Sequence, residues 1–290
     1  MKDTITTIFV EIDNFCKTYD AEIVAFLRTI YSKNFVWKHE MALSEILTIS
    51  IYFHLSSKTT FKDYYFDVVL LELHSEFKNL LSYNRFIELK NKYGFIINAF
   101  SDIKMRENKS DIYFIDGFAL KACHIKREHQ HKVLKLTAGK GKTSVAWFYG
   151  HKISLISNRA KQLVNFIITS GNIADNNANL LIEITKGLTG RIFGDRGYMT
   201  NPTIKEKLNK NGINIITKNR KNMDQKKLSL EEENLIHERW SIESIGNILK
   251  SKLSLEHTRH RSLFGFFTHV FTCISSYLFY SKNKLYRSVI

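Results

Sequence analysis

Apolar residues recur at three- and four-residue intervals through 5–19, 21–31 and 42–55, with Ser44 or a neighbour available as a cap, so these segments read as helices. Similar spacing predicts helices over 61–73 and 83–93. Residues 101–111 are mostly charged or amide-bearing and read as a linker or surface loop. The pattern then changes: runs rich in Ile, Val and Phe at 112–115, 145–149, 153–156 and 164–169 read as short strands. A helix over 176–186, a strand over 191–194, a helix over 203–210 and a strand over 213–217 follow. Long helices are expected over 230–253 and 263–280. The fold class implied is α/β, with a mixed sheet flanked by helices in residues 106–290 and a helical N-terminal domain in residues 1–105.

The longest apolar stretch, 263–280, is interrupted by Thr268, His269, Thr272, Ser275 and Ser276. It is short and aromatic-rich for a membrane span and reads as a buried helix, so no membrane partner is expected. No basic segment followed by a long apolar run opens the chain, which predicts no signal peptide. Cys16, Cys123 and Cys273 form no C-x-x-C pair, which argues against a disulfide framework or zinc site and fits a reducing cytoplasm.

Charge sharpens this picture. The chain has a formal net charge of +15. Residues 1–100 hold 11 of its 43 Lys and Arg and 12 of its 28 Asp and Glu, leaving 32 basic and 16 acidic residues beyond. A codon bias toward Lys would have raised both segments alike. An excess of +16 confined to 101–290 points to a polyanionic partner, of which nucleic acid is the commonest.

Two carboxylates stand at the ends of predicted strands beside a glycine: Asp116 before Gly117, and Asp195 between Gly194 and Arg196-Gly197. At a sheet rim a hard divalent cation can reach such groups. Taken singly, each is also an ordinary turn residue. On the predicted helix 230–253, Arg239, Glu243 and Lys250 fall on one narrow stripe at roughly 100° per residue. Gly246 lies on the same stripe and leaves it open to a close strand, whereas Ile242, Ile245, Ile248 and Leu249 face the other way. A solvated Arg–Glu pair would explain the charges but not the glycine. Phosphodiester transfer needs an activated attacking oxygen and a stabilised leaving oxygen, which two metals held by shared carboxylates can serve.

With Ile115-Asp116-Gly117, Gly194-Asp195-Arg196-Gly197-Tyr198, and an Arg four residues before and a Lys seven residues after Glu243, the chain resembles the DDE transposases of bacterial insertion sequences, specifically the insertion sequence 982 family. The resemblance covers essentially the full chain. Tyr149-Gly150-His151-Lys152 and Gly171-Asn172-Ile173-Ala174-Asp175 resemble further segments of that family. Its signature begins with a Tyr three residues before the Arg, where this chain has Ile236. The resemblance implies a ribonuclease-H-like domain in which Asp116, Asp195 and Glu243 are catalytic and bind two Mg²⁺ ions, with Mn²⁺ able to substitute. It implies cleavage at the element's terminal inverted repeats and joining of the 3′-hydroxyls to target DNA. A homodimer would bring the two ends together, in the cytoplasm on the nucleoid. Arg239 and Lys250 would contact phosphates near the cleaved end. Asp175 reads as a supporting carboxylate.

Arg259 and Arg261, with His257 and His260, form a basic cluster suited to phosphate contact. His124, His129 and His131 lie among Lys126, Arg127 and Lys132, which repel cations, so this segment reads as a basic surface. Gly139-Lys140-Gly141-Lys142-Thr143 lacks the upstream glycine of a phosphate-binding P-loop and reads as a basic hairpin or loop. A helix-turn-helix within 42–65 is open to either DNA reading or protein packing. Two alternatives to a transposase stand beside it: a non-catalytic DNA-binding relative, and a nuclease of the same fold that does not transfer strands.

Overall fold

The computed structural model describes residues 2–31, 40–143, 145–218, 228–256 and 260–287. The chain divides into two compact units. One comprises Met1–Ser101, Lys252–Ser254 and Phe264–Ile290; the other comprises Asp102–Ser251 and Leu255–Leu263.

The described part of the first unit is helical: α1 (Lys2–Thr18), α2 (Asp20–Ile30), α3 (Leu43–Tyr52), α4 (Phe61–Asp63, continued by a π-helical turn over Tyr64–Val69), α5 (Tyr83–Lys92), the start of α6 (Gly94–Arg106) and most of α11 (Leu263–Arg287). The face of α3 from Ser44 to Tyr52 is buried almost all round, which leaves it little surface for reading DNA. The helix α11 belongs with these helices and not with the sheet, as its sequence position had suggested. The reason is a seam of small polar residues. Ser276 donates to Ile51 O at 2.6 Å, His54 Nε2 meets Thr272 Oγ1 at 2.9 Å, and Ser101 meets Ser275. A Cβ on Gly94 would lie 2.0 Å from Thr268 Oγ1, so α6 begins where only glycine fits. By length and composition Leu263–Ser281 could cross a membrane, but 78% of that window is buried within protein. Only the first half of the polar run at 101–111, which reads as a linker, belongs to α6: the helix continues to Arg106 with Met105 buried, and 107–111 form the loop.

The second unit carries a six-stranded sheet: β1 (Ile112–Cys123), β2 (Gly139–Lys142), β3 (Trp147–Asn158), β4 (Leu163–Ser170), β5 (Gly190–Phe193) and β6 (Ile213–Ile216). The order is β2-β3-β1-β5-β6, with β4 pairing the remainder of β3. β1 through β4 pair antiparallel, and β1, β5 and β6 run parallel. Helices α7 (Ala178–Ile184), α8 (Pro202–Lys210), α9 (Leu230–Glu238) and α10 (Trp240–Asn247) complete the unit. One core lies between the sheet and α7, with Tyr113, Ile115, Ile156, Leu181, Ile192 and Tyr198 buried in it.

β1 and β3 are each twelve residues long, where short runs were expected. The predicted strands 145–149 and 153–156 are one continuous β3. Gly150 lets it pass a bulge in β1: a Cβ there would sit 2.2 Å from Leu120 O. The predicted helix 230–253 is divided at Arg239 and widens into a π-helical turn over Ile248–Lys252.

Candidate active site

Asp116 does not end its strand, as expected, but lies within β1, opposite Leu155 of β3. Its other neighbour, β5, stops early: Phe114 pairs with Phe193, the last residue of β5. Asp116 and Asp195 each lie two residues beyond that pair. They flank the same notch, opened where β5 ends beside the longer β1, with Asp195 just past the carboxyl end of β5 and Asp116 on the part of β1 left unpaired on that side.

The glycines beside them are needed for space. A Cβ on Gly194 would come within 2.9 Å of Ile115 Cγ2, and one on Gly117 within 3.0 Å of the Tyr198 hydroxyl. A Cβ on Gly197 would lie 2.9 Å from Asp195 Oδ1, the oxygen that accepts the Gly197 N–H at 2.8 Å. The Gly-Asp-x-Gly-Tyr segment therefore folds a tight turn that seats Tyr198 under the notch and fixes the Asp195 carboxylate above it. Tyr198 is buried. Its hydroxyl has no hydrogen bond of ordinary geometry, with Ser154 its nearest candidate partner. Burial raises its phenol well above the usual range, and the charges of Asp175, Asp116 and Asp195 add to the rise.

Glu243 reaches this notch from α10 through Arg239. The Arg239 Nη2 donates to Glu243 Oε1 at 2.7 Å, and Nη1 stands 3.5 Å from Asp116 Oδ1. Burial pushes the Asp116 carboxyl up to about 6, against the opposing pull of Arg239 and the Gly117 N–H; Asp195 and Glu243 push it further up. Asp195 and Glu243 thus both act on Asp116, and one guanidinium bridges Asp116 and Glu243. Gly246 packs as its place on the stripe predicts: a Cβ there would lie 3.3 Å from Phe118 Cε1.

Lys250 is carried on the π-helical turn, not on a straight continuation of the stripe. Its ammonium lies 4.3 Å from the Phe118 ring centroid and 3.7 Å from Glu256. Phe118 sits two residues beyond Asp116 on the same face of β1. Arg261 is exposed just before α11, and Arg259 lies outside the described residues. Two neighbours of the site appear in the sequence only as members of motifs, with no role marked for them. Tyr198 was signalled only as part of a motif. Lys152 of β3 pairs with Asp175 at 2.6 Å, beside the Gly197 turn, and nothing in the spacing announced that pair.

The donor chemistry suits a hard divalent cation. Asp195 and Glu243 bear on Asp116, whose carboxyl burial pushes up to about 6, and Arg239 supplies positive charge between Asp116 and Glu243. Among the described residues, no three His, Cys, Asp or Glu side chains are gathered closely enough to hold a metal as they stand.

A family model described as the transposase DDE domain matches residues 106–263. The chain belongs to that family. The match spans both aspartates, the Arg239–Glu243 pair and Lys250 of this transposase, and DNA is the partner its family implies. No curated protein and no solved structure matches the chain significantly.

Proposed function

We propose that this transposase cuts DNA at the ends of an insertion sequence, of the 982 family, and joins the freed 3′ ends to target DNA. The observation that carries the reading is the notch itself: Asp116 of β1 and Asp195 just past the end of β5 flank it, and Arg239 links Glu243 to Asp116. The strand order supports a ribonuclease-H-like domain: β4, β3 and β1 run antiparallel, β5 and β6 continue parallel to β1, and β2 extends the edge beside β3.

Asp116, Asp195 and Glu243 would hold Mg²⁺, with Mn²⁺ as a substitute, and the ions would supply Lewis-acid activation of the attacking oxygen and stabilisation of the leaving one. In the first step a water oxygen bonds to phosphorus and the 3′ oxygen leaves. In the second the 3′-hydroxyl attacks a target phosphodiester and a new 3′ oxygen leaves. Arg239 neutralises the carboxylates before substrate arrives and offers its fork of donors to a DNA phosphate. Lys250 presents a second positive charge beyond Phe118. Tyr198 closes the floor of the notch to water, and the Lys152–Asp175 pair buttresses the Asp195 turn. A homodimer would hold the two terminal inverted repeats, and the helical N-terminal segment would take part in binding those ends.

The test is incubation of the full chain with duplexes carrying the element's own ends, a supercoiled target plasmid and Mg²⁺. Joined products support the reading. Cutting without joining would make the protein a nuclease, and binding without cutting a DNA-binding relative.

A further inference from the structure

Between β1 and β3 the chain makes an excursion over 124–146 that the notch does not use. It carries six Lys and Arg, all exposed, against one acidic residue, Glu128. The excursion ends in the ribbon formed by β2 and the start of β3. Lys142 pairs directly with Trp147 and Lys140 with Tyr149, so these four side chains share one face.

The opposite face is pinned. A Cβ on Gly139 would lie 2.3 Å from Ser170 Oγ, and one on Gly141 would lie 2.3 Å from Gly171 O and 2.5 Å from the Phe148 ring. Alternating glycines let the ribbon lie flush on the segment after β4, and this turns Lys140, Lys142 and Trp147 outward. Tyr149 is covered by the edge of His131. Trp147 remains 53% exposed, with the Lys140 and Lys142 ammonium groups 5.6 and 5.5 Å from its ring centroid. Among the described residues, Lys140 otherwise reaches Glu128, at a long 3.4 Å.

A half-exposed indole with two ammonium groups over it, on a ribbon seated against the segment after β4, matches one nucleotide step: a base plane takes the ring as the flanking phosphates draw the ammonium groups to themselves. Duplex DNA offers phosphates but hides its base faces, so it would engage the lysines and leave the indole unused. An apolar protein partner would have to strip water from both ammonium groups. We propose that this face is a docking site for single-stranded DNA, with an unpaired base stacked on Trp147 and its phosphates held by Lys140 and Lys142. The proposal rests on the DNA function given above, whose strand cleavage and joining expose unpaired ends.

The probe is a fluorescently labelled twelve-residue oligothymidylate, compared by anisotropy with a twelve-base-pair duplex on the full chain. Trp147→Ala should weaken single-strand binding roughly 5- to 100-fold, the range of one lost base stack, and leave duplex binding within about twofold. Trp147→Tyr, which keeps an aromatic face, should restore most of the loss, so a folding defect cannot imitate the result. The double variant Lys140→Gln/Lys142→Gln should reduce the single-strand salt slope by about 1.4. Equal losses on both probes, or no loss on either, would overturn the proposal, as would Trp147→Tyr binding no better than Trp147→Ala. Glu243→Gln separates the two readings. It should abolish cleavage and leave oligothymidylate binding intact, whereas a wild-type protein that binds through Trp147 but never cleaves would sink the transposition reading alone.

Discussion

Replacing Asp116 by Asn should make the metal-free protein more stable while removing its activity. Burial and two neighbouring carboxylates raise this carboxyl from an ordinary 3.8 to about 6, even with Arg239 pulling the other way. At neutral pH the folded protein therefore holds an ionised group under strain, and the rise corresponds to roughly 3 kcal/mol. That figure is a ceiling, because a quarter of the side chain is open to solvent. The sign follows from proton uptake. The folded state binds the proton more tightly than the unfolded state, so Asp116 costs nothing below pH about 4 and its full penalty is reached above about 6. Asparagine keeps the shape and removes the charge. In EDTA at pH 7.5, Asp116→Asn should melt up to roughly 10 °C above wild type, at about 2–4 °C per kcal/mol for a unit of this size. The advantage should shrink between pH 6 and 4 and vanish below. Adding Mg²⁺ should raise the wild-type melting temperature and move the variant far less. A variant that melts at or below wild type in EDTA at pH 7.5 would refute the reasoning, since the carboxylate would then carry no charge strain.

Three further outcomes follow from the same geometry. Gly197→Val puts a side chain onto the oxygen that fixes Asp195 and should lower cleavage about a hundredfold in gel assays, with little loss of DNA binding. Arg239→Gln removes the cation shared by Asp116 and Glu243 and should cost about 1–3 kcal/mol in EDTA, much of it recovered in Mg²⁺; thermal melts with and without the ion would read this. Lys250→Ala should weaken binding to element-end duplex and lower its salt slope by about 0.9, the share of one phosphate contact; an unchanged slope would remove Lys250 from the DNA surface.

The strand cores of the sheet were legible because Ile, Val and Phe cluster in them, yet β1 and β3 came out too short. Both strands carry polar or glycine positions in mid-run, at Asp116-Gly117 and Gly150-His151-Lys152, and these interrupt the apolar pattern without ending the strand. The same polar positions are where the site is built. The end of α6 is hard to see in the sequence because its buried side in this charged run is marked by one large apolar residue, Met105, and by Ser101, whose small polar side chain gives no apolar signal. The place of α11 could not be read from its sequence, since the hydroxyls that seat it resemble breaks in an apolar helix until their partners Ile51, His54 and Ser101 are known. The Arg239–Glu243 pair was legible from its spacing. The straight stripe to Lys250 was not correct, because the helix divides at Arg239 and widens after Asn247. That Arg239 also bridges to Asp116 depends on a contact 123 positions away in the chain, which periodicity cannot express.

The most direct test of the account is cleavage of an end-labelled duplex carrying the element's terminal repeat, in Mg²⁺, by wild type and by Asp195→Asn at equal bound fraction. The account predicts cleavage by wild type only, with the variant at background although its binding is unchanged. Cleavage by Asp195→Asn at the wild-type rate would contradict it.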